Sequence, residues 1–573
     1  MQRSRAEVVK SEVRSTRGCV VAQHPLAAEA GARLLAEGGN AVDAAAATAF
    51  AITVVEPAMS SLGGGGAALI HLARENRNVG IEFLPRVPLG ASADMYELDD
   101  ARSGIGLFGW PAVIRDENFI GPRSVATPGS VAGLCLMHER YGSKSLEQVL
   151  APATELAEDG FVADWFISTM IAASARQIRE FEETARIYLP DGLPPATQVR
   201  AYLPVDRFRQ PDLAKTFGRI AAGGADEFYE GDTARALVAC MKASGGLISL
   251  DDLARYEPVF HDGLTEIDYR DWRFSTLPGA NGGTTAFETM NLLERFDVGA
   301  LGFQSADALH LMACAQRAAF LDRFSHMADP DRIAVPLEGL LSKDYAGKRA
   351  GDIRMERAGP TAVGDPWPFD PATPRSDGLV SGPLRDAGCT THLCATDPDG
   401  NMVSLTNTLG DLWGSFVAVP GTGVMLNDGM IWFNPVAGHI NSIEPGKMPL
   451  SNLTAVLGHS TAGDGVCIGA PGGRKVITSV LQSLINMVDH GRSLQDAIAA
   501  PRLHCEGDVV QIDDRIDTEV RDDLTARGHG LEALSETHTM ANFARPVGIR
   551  VDVESGLHLS GVDALRPAAA AAP

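Results

Sequence analysis

The chain has 573 residues, 45% hydrophobic and 6% aromatic, enough for a large core and, on length alone, for several domains. Its net charge is −24, from 73 acidic against 49 basic residues, and no basic run carries interleaved aromatics, so the acid excess reads as solvated surface and not as a nucleic-acid face. No apolar run reaches the ~18 residues of a membrane helix. The charged start leads into no secretory apolar region, and the eight cysteines lack framework spacing, so reduced thiols and a cytoplasmic location are expected.

In chain order, residues 25–56 read as two helices, with Gly38-Gly39 stopping the first and Asn40 capping the next. The run "SSLGGGGAALIHLA" is a glycine stretch feeding a short apolar strand. From about 130 to 350 helical periodicity dominates, interrupted by strand-like "WRFSTLP" near 272–278. Residues 356–388 are proline-rich and read as irregular. A hairpin follows, with runs 391–397 and 401–408 joined by Pro398-Asp399-Gly400 turn chemistry. Strands are expected in "VAVPGTGVMLN", "LTAVLGH", "GVCIGAPGG" and near 508–513 and 546–559, helices in "KVITSVLQSLINMVDHG" and "SLQDAIAA". The alanine-rich end reads as frayed. The chain thus divides into a helix-rich first part and a strand-first second part, broken at the proline-rich segment.

The chemistry of most motifs fails on inspection. No serine sits in G-x-S-x-G, and H-E-x-x-H is absent. Cys389, His392 and Cys394 match no common zinc spacing and read as packing. Gly63–Gly66 and "GAPGGRK" fit no phosphate-binding pattern; tight backbone approach explains the first. "APGGRKVITSVLQ", however, places Gly472 and Gly473 just before a helix, where adjacent N–H groups can meet a developing oxyanion. A threonine hydroxyl becomes a usable nucleophile when its residue is the first of a chain, because its own α-amine serves as base. Thr390, at the mouth of a strand after a proline-rich connection, reaches that state if the Cys389–Thr390 bond is cut.

The stretch "CTTHLCATDPDGNMVSLTNTLGDLWGSF" resembles the start of the small subunit of the γ-glutamyltransferase family, and further matches ("LAEGGNAVDAAAA", "EPAMSSLGGGG", "KMPLSNLTAVL", "GAPGGRKVITSVLQ") run almost the whole length. The resemblance implies an α+β fold, the four-layer αββα sandwich of N-terminal-nucleophile hydrolases. It implies a precursor cut into residues 1–389 and 390–573, whose fragments stay associated. It implies a small-molecule amide substrate and neither cofactor nor metal, with homodimers of processed units among the allowed assemblies. Carried over by position, Thr390 is the nucleophile, Thr408 bonds its hydroxyl, Gly472 and Gly473 form the oxyanion hole, and Ser451 and Asn452 stand in the family's P-L-S-S.

The substrate-gripping positions depart from the family. Leu84 stands where a carboxylate-binding arginine belongs, with Arg86 two residues on as a substitute. Gly410 replaces an asparagine, Gly429 an acidic or amide residue, and Trp432 an aspartate that pairs with the substrate ammonium. The segment between Phe433 and Pro449 is short for the lid loop of some members. Several anchors for one ligand are thus missing, which suggests a roomier, more apolar acyl pocket. Three readings stay open: an amidohydrolase or acyltransferase for a non-γ-glutamyl acyl group, a true γ-glutamyltransferase or glutathione hydrolase, and an uncleaved binding relative.

Overall fold

The computed structural model describes residues 8–102, 110–197, 207–375, 389–538 and 540–573. Two seven-stranded antiparallel sheets stack face to face. One runs Arg14–Ser15, Leu557–Val562, Val547–Asp552, Gly465–Gly469, Val456–Ser460, Trp272–Thr276, Thr265–Tyr269. The other runs Ala569–Ala571, Cys19–Ala22, Cys389–Thr396, Met402–Gly410, Gly65–Leu72, Arg77–Phe83, Val259–His261.

Alternation along the strands distributes the core into three layers. Val20, Ala22, Leu393, Ala395, Val403 and Leu405 face the helices Pro25–Ala36 and Ala41–Val55. Their neighbours Cys19, Val21, Cys394 and Met402 face the other sheet, meeting Leu457, Cys467, Val547 and Ile549. On that sheet's far side, Val456, Val466 and Ile468 meet the helices Gly282–Leu293, Ala306–His326 and Lys475–Val488. This is the expected αββα sandwich. Central strands are buried on both faces, which is why they read as continuous apolar runs.

Helix Ala41–Val55 is buried at every residue and starts from a capping box in which Asn40 and Asp43 satisfy each other's backbone N–H groups. The glycine run is a place of close backbone approach: a Cβ on Gly64 would lie 2.3 Å from the Thr408 carbonyl oxygen, and one on Gly66 2.0 Å from that of Thr406. The hairpin forms as read, with Gly400 at φ +90°, but its turn is capped by Asp397, whose Oδ1 accepts from the N–H groups of Asp399 and Asn401 at 3.0 Å each.

Two expectations are corrected. Strands Val259–His261 and Thr265–Tyr269 were hidden in a region read as helical. The alanine-rich end is an edge strand: Ala569–Ala571 pairs with Cys19–Ala22, since ladder hydrogen bonds come from backbone and need no bulky side chain. The two parts of the chain share both sheets. Each sheet interleaves strands from before and after residue 389, so Cys19–Ala22 lies between Ala569–Ala571 and Cys389–Thr396. Residues 376–388 of the proline-rich segment lie outside the described residues.

Candidate active site

The hairpin's ladder is irregular at its open end. Cys389 pairs with Gly410 and Thr391 with Asn407, so Thr390 alone faces both Thr408 and Leu409. Such a bulge re-aims side chains at the end of a strand. Here it brings Thr408 Oγ1 to 3.0 Å from Thr390 Oγ1, and the Gly410 N–H donates to the same Thr408 oxygen at 2.9 Å. The N–H of Leu409, lost to the ladder, donates to the Met59 carbonyl at 3.1 Å. Thr391 points the other way and donates to Glu56 at 2.8 Å, a fully buried carboxyl that burial pushes above its usual range. The strand is thus held on both faces, at Thr390 and at Thr391.

Thr390 opens into a small pocket whose wall includes Leu84, Gly410, Trp432, Ser451, Asn452 and Gly473. Gly473 and Gly472 form the turn between the strand Gly465–Gly469 and the helix Lys475–Val488, with φ of +59° and +134°. Only glycine adopts the latter readily, and a Cβ on Gly472 would meet the Ala544 Cα at 2.7 Å. The next residue, Arg474, is fully buried and holds Glu506 through two 2.7 Å contacts. Burial works to raise the Glu506 pKa, but Arg474 and His504 outweigh it and hold the carboxyl down to about 2.

Ser451 and Asn452 sit on a loop that the sequence alone left unsupported. Arg323, buried on the helix Ala306–His326, donates to the Ser451 carbonyl at 2.6 Å, the Asn452 Oδ1 at 2.8 Å and the Asn281 carbonyl at 3.1 Å. No motif marks this arginine in the sequence; only its place in the last turn of the helix, among apolar residues in "AAFLDRF", hints at a buried task.

The remaining anchor positions fall apart in space. Arg86 does not line the pocket; its backbone bridges to Thr127 and its charge acts on Tyr256. Gly429 is outside the lining too, and a Cβ there would lie 2.8 Å from that of Ala126. The space at Gly410 is occupied: Asp428 Oδ1 stands 2.0 Å from where its Cβ would be. The glycines therefore do not widen the pocket, because neighbours have moved in. Its wall is nonetheless largely apolar, through Leu84, Trp432, Pro449, Leu453, Ala470 and Val476.

His392 lies between the sheets, its Nδ1 2.8 Å from Thr406 Oγ1, and burial lowers its pKa to about 3; the Cys389 side chain lies outside the described residues. Among those described, one other cluster has ligand chemistry. His310, Cys314 and His529 share no residue with the pocket, and the two histidines bond each other at 2.8 Å.

A threonine hydroxyl at a strand mouth, a facing hydroxyl partner and a paired-glycine turn, set in a stacked αββα sandwich, define the class of N-terminal-nucleophile hydrolases. A profile of the gamma-glutamyltranspeptidase family matches residues 27–572. The acylase ACY 1 proenzyme of Pseudomonas sp. (strain SE83) is 38% identical, with 96% of each chain covered. The glutathione hydrolase proenzyme of Pseudomonas sp. (strain A14) is 36% identical, over 86% of this chain and 82% of the relative. Cephalosporin acylase from Bacillus halodurans superposes with a TM-score of 0.85 at 26% identity, covering 100% of this chain and 99% of that one. The protein belongs to the gamma-glutamyltranspeptidase family and is an enzyme of it.

Proposed function

We propose that the protein is a self-processing acylase: an amide hydrolase or acyltransferase that works through an ester on Thr390, with an acyl group other than standard γ-glutamyl. The observation that carries the reading is the pocket's lining, which holds the Thr390 hydroxyl but no acidic, basic or histidine side chain among the described residues. A base must come from elsewhere, and the α-amine freed by cutting Cys389–Thr390 is the group at hand. The names of the relatives, proenzymes and acylases, point the same way.

In the processed enzyme, the Thr390 amine takes the proton of its own hydroxyl as Oγ1 attacks the amide carbonyl, and Thr408 orients that oxygen. The tetrahedral oxyanion is met by the N–H groups of Gly472 and Gly473. Collapse expels the amine, which leaves with the proton, and an acyl ester stays on Thr390. Water or a second amine discharges it by the same steps in reverse. The large and small fragments remain together because each sheet interleaves strands of both.

The acyl preference follows from the wall. Leu84 and Trp432 supply no charge, and Arg86 is off the lining. Placing a zwitterionic γ-glutamyl head against such a wall strands charged groups, so neutral acyl groups fit better. A second reading, a glutathione hydrolase, is favoured by relatives that carry that name. Turnover of glutathione, γ-glutamyl anilide, glutaryl anilide and simple acyl anilides separates the two. The acylase reading expects glutathione to rank below the best acyl amide in kcat/KM; glutathione ranking first overturns it.

A further inference from the structure

We infer that Asp428 is a positioning residue for the Thr390–Thr408 pair, acting through the backbone of Gly410. The inference rests on the reading of Thr390 as nucleophile and adds the residue just before Gly429.

Asp428 follows the short strand Val424–Met425 and is fully buried. It grips the neighbours of Gly410 from both sides. Its backbone N–H donates to the Leu409 carbonyl at 3.0 Å, and its Oδ1 accepts from the Asp411 N–H at 3.0 Å. Gly410 between them sits at φ +109° and donates its N–H to Thr408 Oγ1 at 2.9 Å, which in turn meets Thr390 Oγ1 at 3.0 Å. The carboxyl therefore fixes the peptide orientation that fixes the Thr408 rotamer.

The clamp is itself anchored. Asn427 donates from its side chain to the carbonyls of Gly63 at 2.7 Å and Ala126 at 2.8 Å, and accepts from the N–H groups of Ala126 and Gly429. Asp428 thus cannot slide along the strand it holds. Glycine at 410 is a consequence of this arrangement, since Asp428 Oδ1 occupies the place of its missing side chain, 2.0 Å from a built Cβ. The other oxygen, Oδ2, is buried without a hydrogen-bond partner. Burial and the neighbouring Asp411 push the carboxyl well above the usual range, so it favours the neutral acid. A neutral amide of the same shape can then do the same work, which makes the role testable apart from charge.

The test uses the full-length chain, with self-cleavage followed by mass spectrometry and turnover followed on γ-glutamyl and glutaryl anilides. Asp428→Ala is expected to slow cleavage and lower kcat 10- to 100-fold with KM within about twofold, because the hydroxyl pair loosens while the side chains of Leu84 and Trp432 on the acyl wall are unaltered. Asp428→Asn keeps the Oδ1 acceptor and is expected to recover most of that loss. If Asp428→Ala is recovered only unfolded, Asp428→Leu fills the same space without an acceptor and carries the same expectation. Cleavage and kcat within threefold of the unsubstituted protein for the acceptor-free variant overturn the inference. So does an Asn variant as impaired as the acceptor-free one, or a loss that falls on KM alone. Thr390→Ala is run alongside: activity surviving in it refutes the nucleophile reading itself and leaves the Asp428 results to be judged separately.

Discussion

The two sides of the Thr390 pocket are built by different means. On the reacting side, position is set by backbone: a bulged ladder, a paired-glycine turn and a helix start. On the acyl side it is set by side chains on loops, namely Leu84 after a strand, Trp432 on a short 3-10 turn and Ser451-Asn452 hung from Arg323. Backbone geometry survives almost any exchange of neighbouring side chains, while a loop wall changes with each one. The chemistry can therefore stay fixed while the acyl group it serves changes.

The largest effect that tests this contrast is on the reacting side. Thr390→Ala should remain a single 573-residue chain by mass spectrometry and lose at least about 10³-fold in turnover. Cleavage at the same bond in that variant would show that the hydroxyl is not what cuts it. Next, Gly472→Ala forces a side chain into Ala544 and into a φ of +134°, and should lower kcat about 10²-fold while leaving KM near its original value. An unchanged kcat would take the turn out of the mechanism.

The support beneath that turn should fail in acid. Glu506 titrates near 2 in the folded protein against 4.5 when free, so its pairing stabilises the fold fully above about pH 4.5 and is lost as pH falls from there toward 2. The shift corresponds to about 3 kcal/mol. Glu506→Gln should be less stable at neutral pH and show a flatter melting profile between pH 5 and about 3; a profile parallel to that of the unsubstituted protein would refute the linkage. The smallest effect lies on the acyl side. Trp432→Asp should raise kcat/KM for γ-glutamyl anilide relative to simple acyl anilides about tenfold, the weight of one charge-assisted contact, without altering self-cleavage. No change in the ratio would place the selecting wall elsewhere.

The same contrast governs what could be read from the sequence. Thr390 and the Gly472-Gly473 turn announce themselves because each depends on a local rule, a strand mouth after a proline-rich connection or glycine before a helix, while Thr408 entered through the family resemblance. Asp428 and Arg323 do not, because their work is done on partners outside any local pattern, Asp411 lying 17 residues from Asp428 and Ser451 128 from Arg323. The glycines at 410 and 429 misled in the same way. An absent side chain reads as space, and only the fold reveals that Asp428 and Ala126 fill it. The strands Val259–His261 and Thr265–Tyr269 were missed because edge positions leave them half exposed, without a clear apolar run.

The edge strand Ala569–Ala571 has a consequence for how this end of the chain tolerates change. Its ladder pairs Ala569 with Ala22, Ala570 with Val21 and Ala571 with Val20, and its side chains are methyl groups only. Almost any small residue can be written there without disturbing the pairing, so point substitutions should pass almost unnoticed, proline excepted. A one-residue deletion between Val562 and Ala569 is a different matter, because strands are anchored on both sides of that span and the register would slip by one, turning each methyl to the opposite face. This stretch is thus indifferent to spelling and strict about length.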